Sequence, residues 1–176
     1  HIDGLYNNME KMSIELLKAA SLFLDKDENW LPDMAQDGNT ILRVIHYPTL
    51  SPETPDGAVR SAQHEDINLI TLLVGAEESG LEVQNPKGDW IPIAAKSKSI
   101  VCNIGDMMQL VTRSQLKSTS HRVVDHNASS SASRYSMPFF LHPSPEIELC
   151  SIVDDCDDSI SAHDFLEERL RAIKLY

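Results

Sequence analysis

The chain is poor in cysteine, poor in positive charge and free of long apolar runs, and each shortage excludes a class of protein. Its three cysteines, Cys102, Cys150 and Cys156, are odd in number and show no Cys-x-x-Cys spacing. That pattern argues against a disulfide scaffold or a zinc ribbon, and it fits a reducing cytoplasm. No stretch approaches the ~20 consecutive apolar residues of a membrane helix, so no membrane partner is expected. Lysine and arginine number 15 against 27 acids, a net charge of −12. Such a surface repels phosphate backbones and sets nucleic acid aside as a substrate. The opening residues, His1-Ile2-Asp3-Gly4, lack the basic-then-apolar order of a signal peptide. They also lack an initiator methionine, so the chain is expected to begin inside a longer gene product.

What is present suits one globular domain. The 176 residues, 41% of them hydrophobic, can bury a sizeable core. Residues 2–24 carry Leu5, Met9, Met12, Leu16, Leu17, Ala20 and Phe23 at three- and four-residue steps, which predicts a helix. Asp25 to Pro32 breaks that pattern. Ile41 to Tyr47 reads as a strand stopped by Pro48, and the proline-rich stretch to Gly57 as a loop. Short apolar runs then alternate with turn signals: Leu69–Val74, Leu81–Val83, Trp90–Ile93, Ile100–Ile104, Ser120–Asp125 and Arg134–His142. This spacing predicts an all-β sandwich or jelly roll. Ala128 to Ser133 reads as a hairpin loop, and Ala162 to Lys174 as a closing amphipathic helix. The late acids, Glu146, Glu148, Asp154, Asp155, Asp157, Asp158, Asp164, Glu167 and Glu168, read as a solvated loop and helix face.

The chemistry concentrates in His64-Glu65-Asp66, in His121 and in Arg134-Tyr135-Ser136. Side chains at i and i+2 of an extended segment share a face, so His64 and Asp66 can grip one ion while Glu65 points away. With His121 they supply two imidazoles and one carboxylate, the facial triad that leaves three positions open on a divalent iron. A His-x-Asp pair alone occurs by chance, and an isolated histidine is more often structural than a ligand. Arg134-x-Ser136 is a second i, i+2 pair. Its guanidinium and hydroxyl can clamp the far carboxylate of an organic acid. A salt bridge from Arg134 to an acid of its own chain is the plainer use, and it stays open at this point. Trp90 and Cys102 are expected to be buried, and Asp106 to cap a short helix at Met107–Leu110.

The blocks Leu42-Arg43-Val44-Ile45-His46-Tyr47-Pro48, His64-Glu65-Asp66 and Leu69-Ile70-Thr71-Leu72-Leu73 resemble the isopenicillin N synthase-like family of iron(II)/2-oxoglutarate dioxygenases. The likeness continues, in family order, through Gly88-Asp89-Trp90, Asn103-Ile104-Gly105-Asp106, Ser118-Thr119-Ser120-His121-Arg122-Val123 and Arg134-Tyr135-Ser136-Met137-Pro138. It implies a mainly β fold, a double-stranded β-helix (jelly roll) with a long N-terminal helix and a short C-terminal helix. It implies a helical support segment at 1–36, a catalytic core at 37–150, and an acidic loop and helix at 151–176. His64, Asp66 and His121 match the family's iron ligands, and Arg134 and Ser136 match the pair that holds the distal carboxylate of 2-oxoglutarate. Tyr47 matches a tyrosine that adds a hydrogen bond to the same co-substrate. Many members have Asn where this chain has Ile45, and Asn-Gly where it has Ser114-Gln115. The activity implied is oxidation of a C–H bond in a small molecule by O₂, releasing succinate and CO₂, with ascorbate as an accessory reductant.

Two rivals follow from the same residues. One is an iron oxidase of the isopenicillin N synthase type, in which the Arg-x-Ser pair binds substrate and no 2-oxoglutarate is used. The other is a metal-free jelly-roll binding module. The primary substrate and the oligomeric state are not written in the sequence.

Overall fold

The computed structural model describes residues 1–49, 53–55, 58–74, 80–93, 99–124, 133–152 and 159–173. Among them the helices are α1 (Ile2–Phe23), α2 (Trp30–Ala35), α3 (Asp106–Val111) and α4 (Ala162–Ala172). The strands are β1 (Ile41–Leu42), β2 (Ile45–Tyr47), β3 (Ser61–His64), β4 (Ile70–Val74) and β5 (Leu81–Gln84). They continue with β6 (Trp90–Pro92), β7 (Ile100–Ile104), β8 (His121–Val123), β9 (Arg134–Ser136) and β10 (Pro138–Leu141).

One sheet runs β1-β10-β4-β7 and a second runs β3-β8-β5-β6, every ladder antiparallel. The pair β2-β9 carries the β1-β10 register onward, from Ile41 opposite Phe140 to Tyr47 opposite Arg134. Strands far apart in sequence lie side by side, and the two sheets face each other across the interior. This is the jelly roll that the strand spacing predicts.

The two outer faces differ. On the first sheet, Ile70 and Leu72 of β4 and Phe139 and Leu141 of β10 point outward and are buried. They form the core with Met9 and Leu17 of α1, Leu31 of α2, and Met107, Met108 and Val111 of α3. Phe139 is fully buried, with the Tyr6 ring edge-on at 5.2 Å; truncating such a residue to alanine costs roughly 3–5 kcal/mol. The outer face of the second sheet is polar. There Arg122 donates to Glu82 at 2.7 Å and lies 4.1 Å over the Trp90 ring. Trp90 is therefore half-buried under a guanidinium rather than in the core, because Gln84 directly opposite it sits on the solvent-side face.

Further expectations shift for physical reasons. The buried stripe of α1 is Met9, Ser13, Leu17 and Ser21, each one turn apart, while Met12, Leu16 and Phe23 are exposed. Small serines let the helix approach the sheet, and the Ser21 hydroxyl bonds Leu31 N of α2. Within the stretch that breaks the α1 pattern, Pro32 sits in the first turn of α2. A missing N–H costs nothing there, since helix starts leave those donors unpaired anyway. Gly105, not Asp106, occupies the cap position of α3; a Cβ at Gly105 would collide with Asn68. Cys102 is exposed, because β7 ends the first sheet, and it is a free thiol. Cys150 is disulfide-bonded, so the cysteine pattern no longer favours a reducing compartment. Arg113 and Ser114 take φ of 51° and 61°, the left-handed turn that Asn-Gly adopts more readily. The expected hairpin loop at 128–133 falls almost wholly outside the described residues. No described helix is long and apolar enough to cross a membrane.

Candidate metal centre

His64 ends β3 and faces His121, which begins β8, directly across the ladder. Ser61 pairs with Val123 and His64 with His121, so three steps on β3 match two on β8. The extra residue is a bulge, and it turns both Ser61 and His64 toward the interior despite their odd separation. Asp66 follows two residues later. Its Oδ1 lies 3.9 Å from His64 Nε2 and 3.8 Å from His121 Nε2. One donor atom from each of the three lies within 4.8 Å of the others.

The surrounding bonds aim these donors. His64 Nδ1 is 2.8 Å from the Ala62 carbonyl and His121 Nδ1 is 3.0 Å from the Thr119 carbonyl. A carbonyl only accepts, so each Nδ1 carries a proton there, and Nε2 is the nitrogen turned inward toward Asp66. Asp66 is buried, and its Oδ2 accepts from Thr71 Oγ1 at 2.6 Å and from Asn103 Nδ2 at 2.8 Å. Asn68 donates to the same Thr71 oxygen at 2.9 Å, which directs the Thr71 hydroxyl proton to the carboxylate. Oδ1 is left facing the imidazoles. Glu65 turns away from the metal centre and accepts from Ser120 Oγ at 2.7 Å. Two imidazoles and one oriented carboxylate fit a divalent iron with open positions.

Two cavities meet here. The narrow one, about 280 Å³, is the interior between the sheets. Tyr47, Arg134 and Ser136 line it at alternate positions of β2 and β9, together with the three candidate ligands. Arg134 is 5% exposed, and its guanidinium lies 5.9 Å from the Tyr47 ring centroid, with Arg60 5.8 Å from the same ring. Gly80, at φ 123°, lets Val124 N bond its carbonyl at 2.9 Å; a Cβ there would strike the Val124 carbonyl. The wide cavity, about 830 Å³, lies beneath α4, whose Leu166, Arg169 and Leu170 form one helical face on it, continued by the capping residue Ile173. Asp106 and His142 also line it. Burial raises the Asp106 carboxyl above its ordinary value, against the opposing charge of Arg169. Burial lowers the His142 imidazole, against the pull of Asp66.

The structure thus brings together all six residues singled out in the sequence: His64, Asp66, His121, Arg134, Ser136 and Tyr47. Sequence reasoning missed Thr71, Asn103 and Arg60, whose positions depend on cross-strand register. It also missed the cavity-facing row on α4, although the i, i+3, i+4, i+7 spacing was visible there.

The sequence pattern of the 2OG-Fe(II) oxygenase superfamily matches residues 38–143. The chain belongs to that superfamily. A 2OG-Fe(II) oxygenase family protein from Caulobacter crescentus shares 40% identity and superposes with a TM-score of 0.88, over 98% of this chain and 58% of that one. A full-length Neurospora crassa protein, solved in complex with alpha-KG and thymine, is 27% identical with a TM-score of 0.89, over 98% of this chain and 56% of its own. The 2-oxoglutarate-Fe(II) type oxidoreductase ppzD of Metarhizium majus is 33% identical over 149 residues, 81% of this chain and 43% of that protein. The chain therefore spans about half the length of these relatives.

Proposed function

We propose that this superfamily member oxidises a C–H bond of a small organic molecule, using Fe(II), 2-oxoglutarate and O₂. The observation that carries the reading is that the His64–Asp66–His121 donors and the buried Arg134 line one cavity. His64 and His121 would bind iron through Nε2, and Asp66 through Oδ1. Arg134 would take the distal carboxylate of 2-oxoglutarate with its forked donors, and Ser136 would add a hydroxyl. Tyr47 would add a hydrogen bond or hold Arg134 in place through its ring face. Bound iron supplies the coupling of 2-oxoglutarate decarboxylation to substrate oxidation, with succinate and CO₂ released.

The chain's own part is to orient and to shield. Thr71 and Asn103 keep Asp66 in one rotamer, which fixes where the open iron positions face. Leu73, Leu81, Val83, Val101 and Val123 line the narrow cavity and exclude water from it. The relatives' names mention 2-oxoglutarate, and the Neurospora crassa complex contains it; both favour a co-substrate-dependent enzyme over an oxidase of the isopenicillin N synthase type. A closer kinship with the isopenicillin N synthase-like branch rests on the sequence blocks. The test is anaerobic titration of the full-length Fe(II) protein with 2-oxoglutarate, followed by the charge-transfer band near ~500 nm of a chelated 2-keto acid. Arg134→Ala should need far more 2-oxoglutarate to give the band. No band in the folded, iron-loaded protein overturns the reading.

A further inference from the structure

We propose that Arg43 is the substrate-recognition residue of this site and that the oxidised substrate carries a carboxylate on an apolar body. The inference rests on the iron and 2-oxoglutarate reading above. Four residues line both cavities: Arg43, His64, Asp66 and Phe140. They form the throat between the two. One end of the narrow cavity belongs to Arg134, Ser136 and Tyr47, so a second molecule reaches the metal from the wide side. It passes Arg43.

The strand geometry places Arg43 well apart from the co-substrate clamp. Arg43, Ile45 and Tyr47 alternate on the cavity face of one extended run. Four residues at ~3.4 Å each separate Arg43 from Tyr47 by about 14 Å along that run. The Arg43 amide bonds the Pro138 carbonyl at 3.0 Å, which anchors the backbone between β1 and β2. A 2-oxoglutarate chelating the metal with one carboxylate and bound to Arg134 by the other has no acid left for Arg43.

The charges facing the wide cavity are already engaged elsewhere. Glu65 holds Ser120, Asp66 holds Thr71 and Asn103, and Asp106 lies 3.6 Å from Arg169. Among the described residues the Arg43 guanidinium meets no acid. Its planar fork matches the two oxygens of a carboxylate. Phe140 beside it, and Ile41, Leu166, Leu170 and Ile173 beyond, offer apolar surface for the rest of the molecule. In a chain of net charge −12 this cation at the throat is what an anionic substrate needs.

The test uses the full-length protein loaded with Fe(II) and 2-oxoglutarate, without O₂. The probes are straight-chain monocarboxylates from butanoate to decanoate, each beside its primary amide, and the readout is the perturbation of the charge-transfer band. The expected result is that at least one acid perturbs the band at a tenfold lower concentration than its amide. In Arg43→Gln that preference should vanish while the 2-oxoglutarate titration stays as in the parent, which also shows that the variant is folded. Arg43→Lys, which keeps the charge and loses the fork, should fall between. No preference for acids in the parent, or a preference unchanged in Arg43→Gln, overturns the proposal. A parent that never develops the band overturns instead the co-substrate reading beneath it.

Discussion

The two cavities that meet at the metal centre are made of different material. The narrow one is walled by strand residues at alternating positions, so its side chains are fixed by ladder register and by packing between the sheets. The wide one is walled on one side by α4 and by the loop residues Asn39 and Thr40, with Ile41 of β1, Gln63 and His64 of β3 and Phe140 of β10 from the sheets. A strand lattice holds a reacting group in place to a fraction of an ångström, whereas a helix face can change residue by residue without disturbing the lattice. Under the proposed function, this division would leave the shared chemistry to the narrow side and the choice of substrate to the wide side.

Four experiments would break or sharpen that division. The largest effect is expected from Asp66→Ala, which removes the proposed anionic ligand; Fe(II) affinity should fall by more than ~100-fold in an anaerobic titration, beyond the range seen when only an outer partner is lost. Next, Asn103→Ala frees one of the two bonds that orient Asp66. It should weaken iron binding by about 10–100-fold and broaden the charge-transfer band. An unchanged iron affinity would mean that Thr71 alone suffices. Third, Leu170→Ala on α4 should alter the apparent affinity for the primary substrate by about 1–3 kcal/mol and leave the 2-oxoglutarate titration alone. A shift in the latter would show that the two cavities are not separable. The smallest effect concerns His142. Its imidazole is held below the ordinary 6.5 by burial, so the unfolded chain takes up a proton first as pH falls. Stability is therefore lost as pH drops below 6.5, and His142→Gln should flatten that limb of a denaturation series by at most one proton's slope.

Much of the narrow side was legible because strands repeat every two residues. His64-x-Asp66 and Arg134-x-Ser136 are local statements of which side chains share a face, and a reader needs no tertiary information to make them. Thr71 and Asn103 are different. They meet at Asp66 only because β4 pairs with β7 in a register that sets Thr71 opposite Asn103. The bulge between Ser61 and His64 is likewise a property of the β3-β8 ladder. Trp90 and Cys102 were misplaced for a related reason. Apolar character says that a side chain prefers burial, not which face of a sheet is covered or which strand ends it. The α1 stripe shows the same limit, since two serines occupy the tightest positions while larger apolar neighbours stay outside.

The pairing of β3 with β8 sets His64 against His121, and β1 with β10 sets Ile41 against Phe140. In time, this means that β1 and β3 can close their ladders only after β10 and β8 have been made. Ladders that join such distant segments must meet the entropy of long loops before they gain contacts, so folding should be slow, on the millisecond-to-second scale of β-rich topologies. The three donors do not exist as a site on the growing chain. Iron can then be captured only at the close of assembly, and its binding energy adds to the finished state rather than guiding the route. Refolding rates should accordingly be indifferent to Fe(II), while the rate of unfolding should slow in its presence.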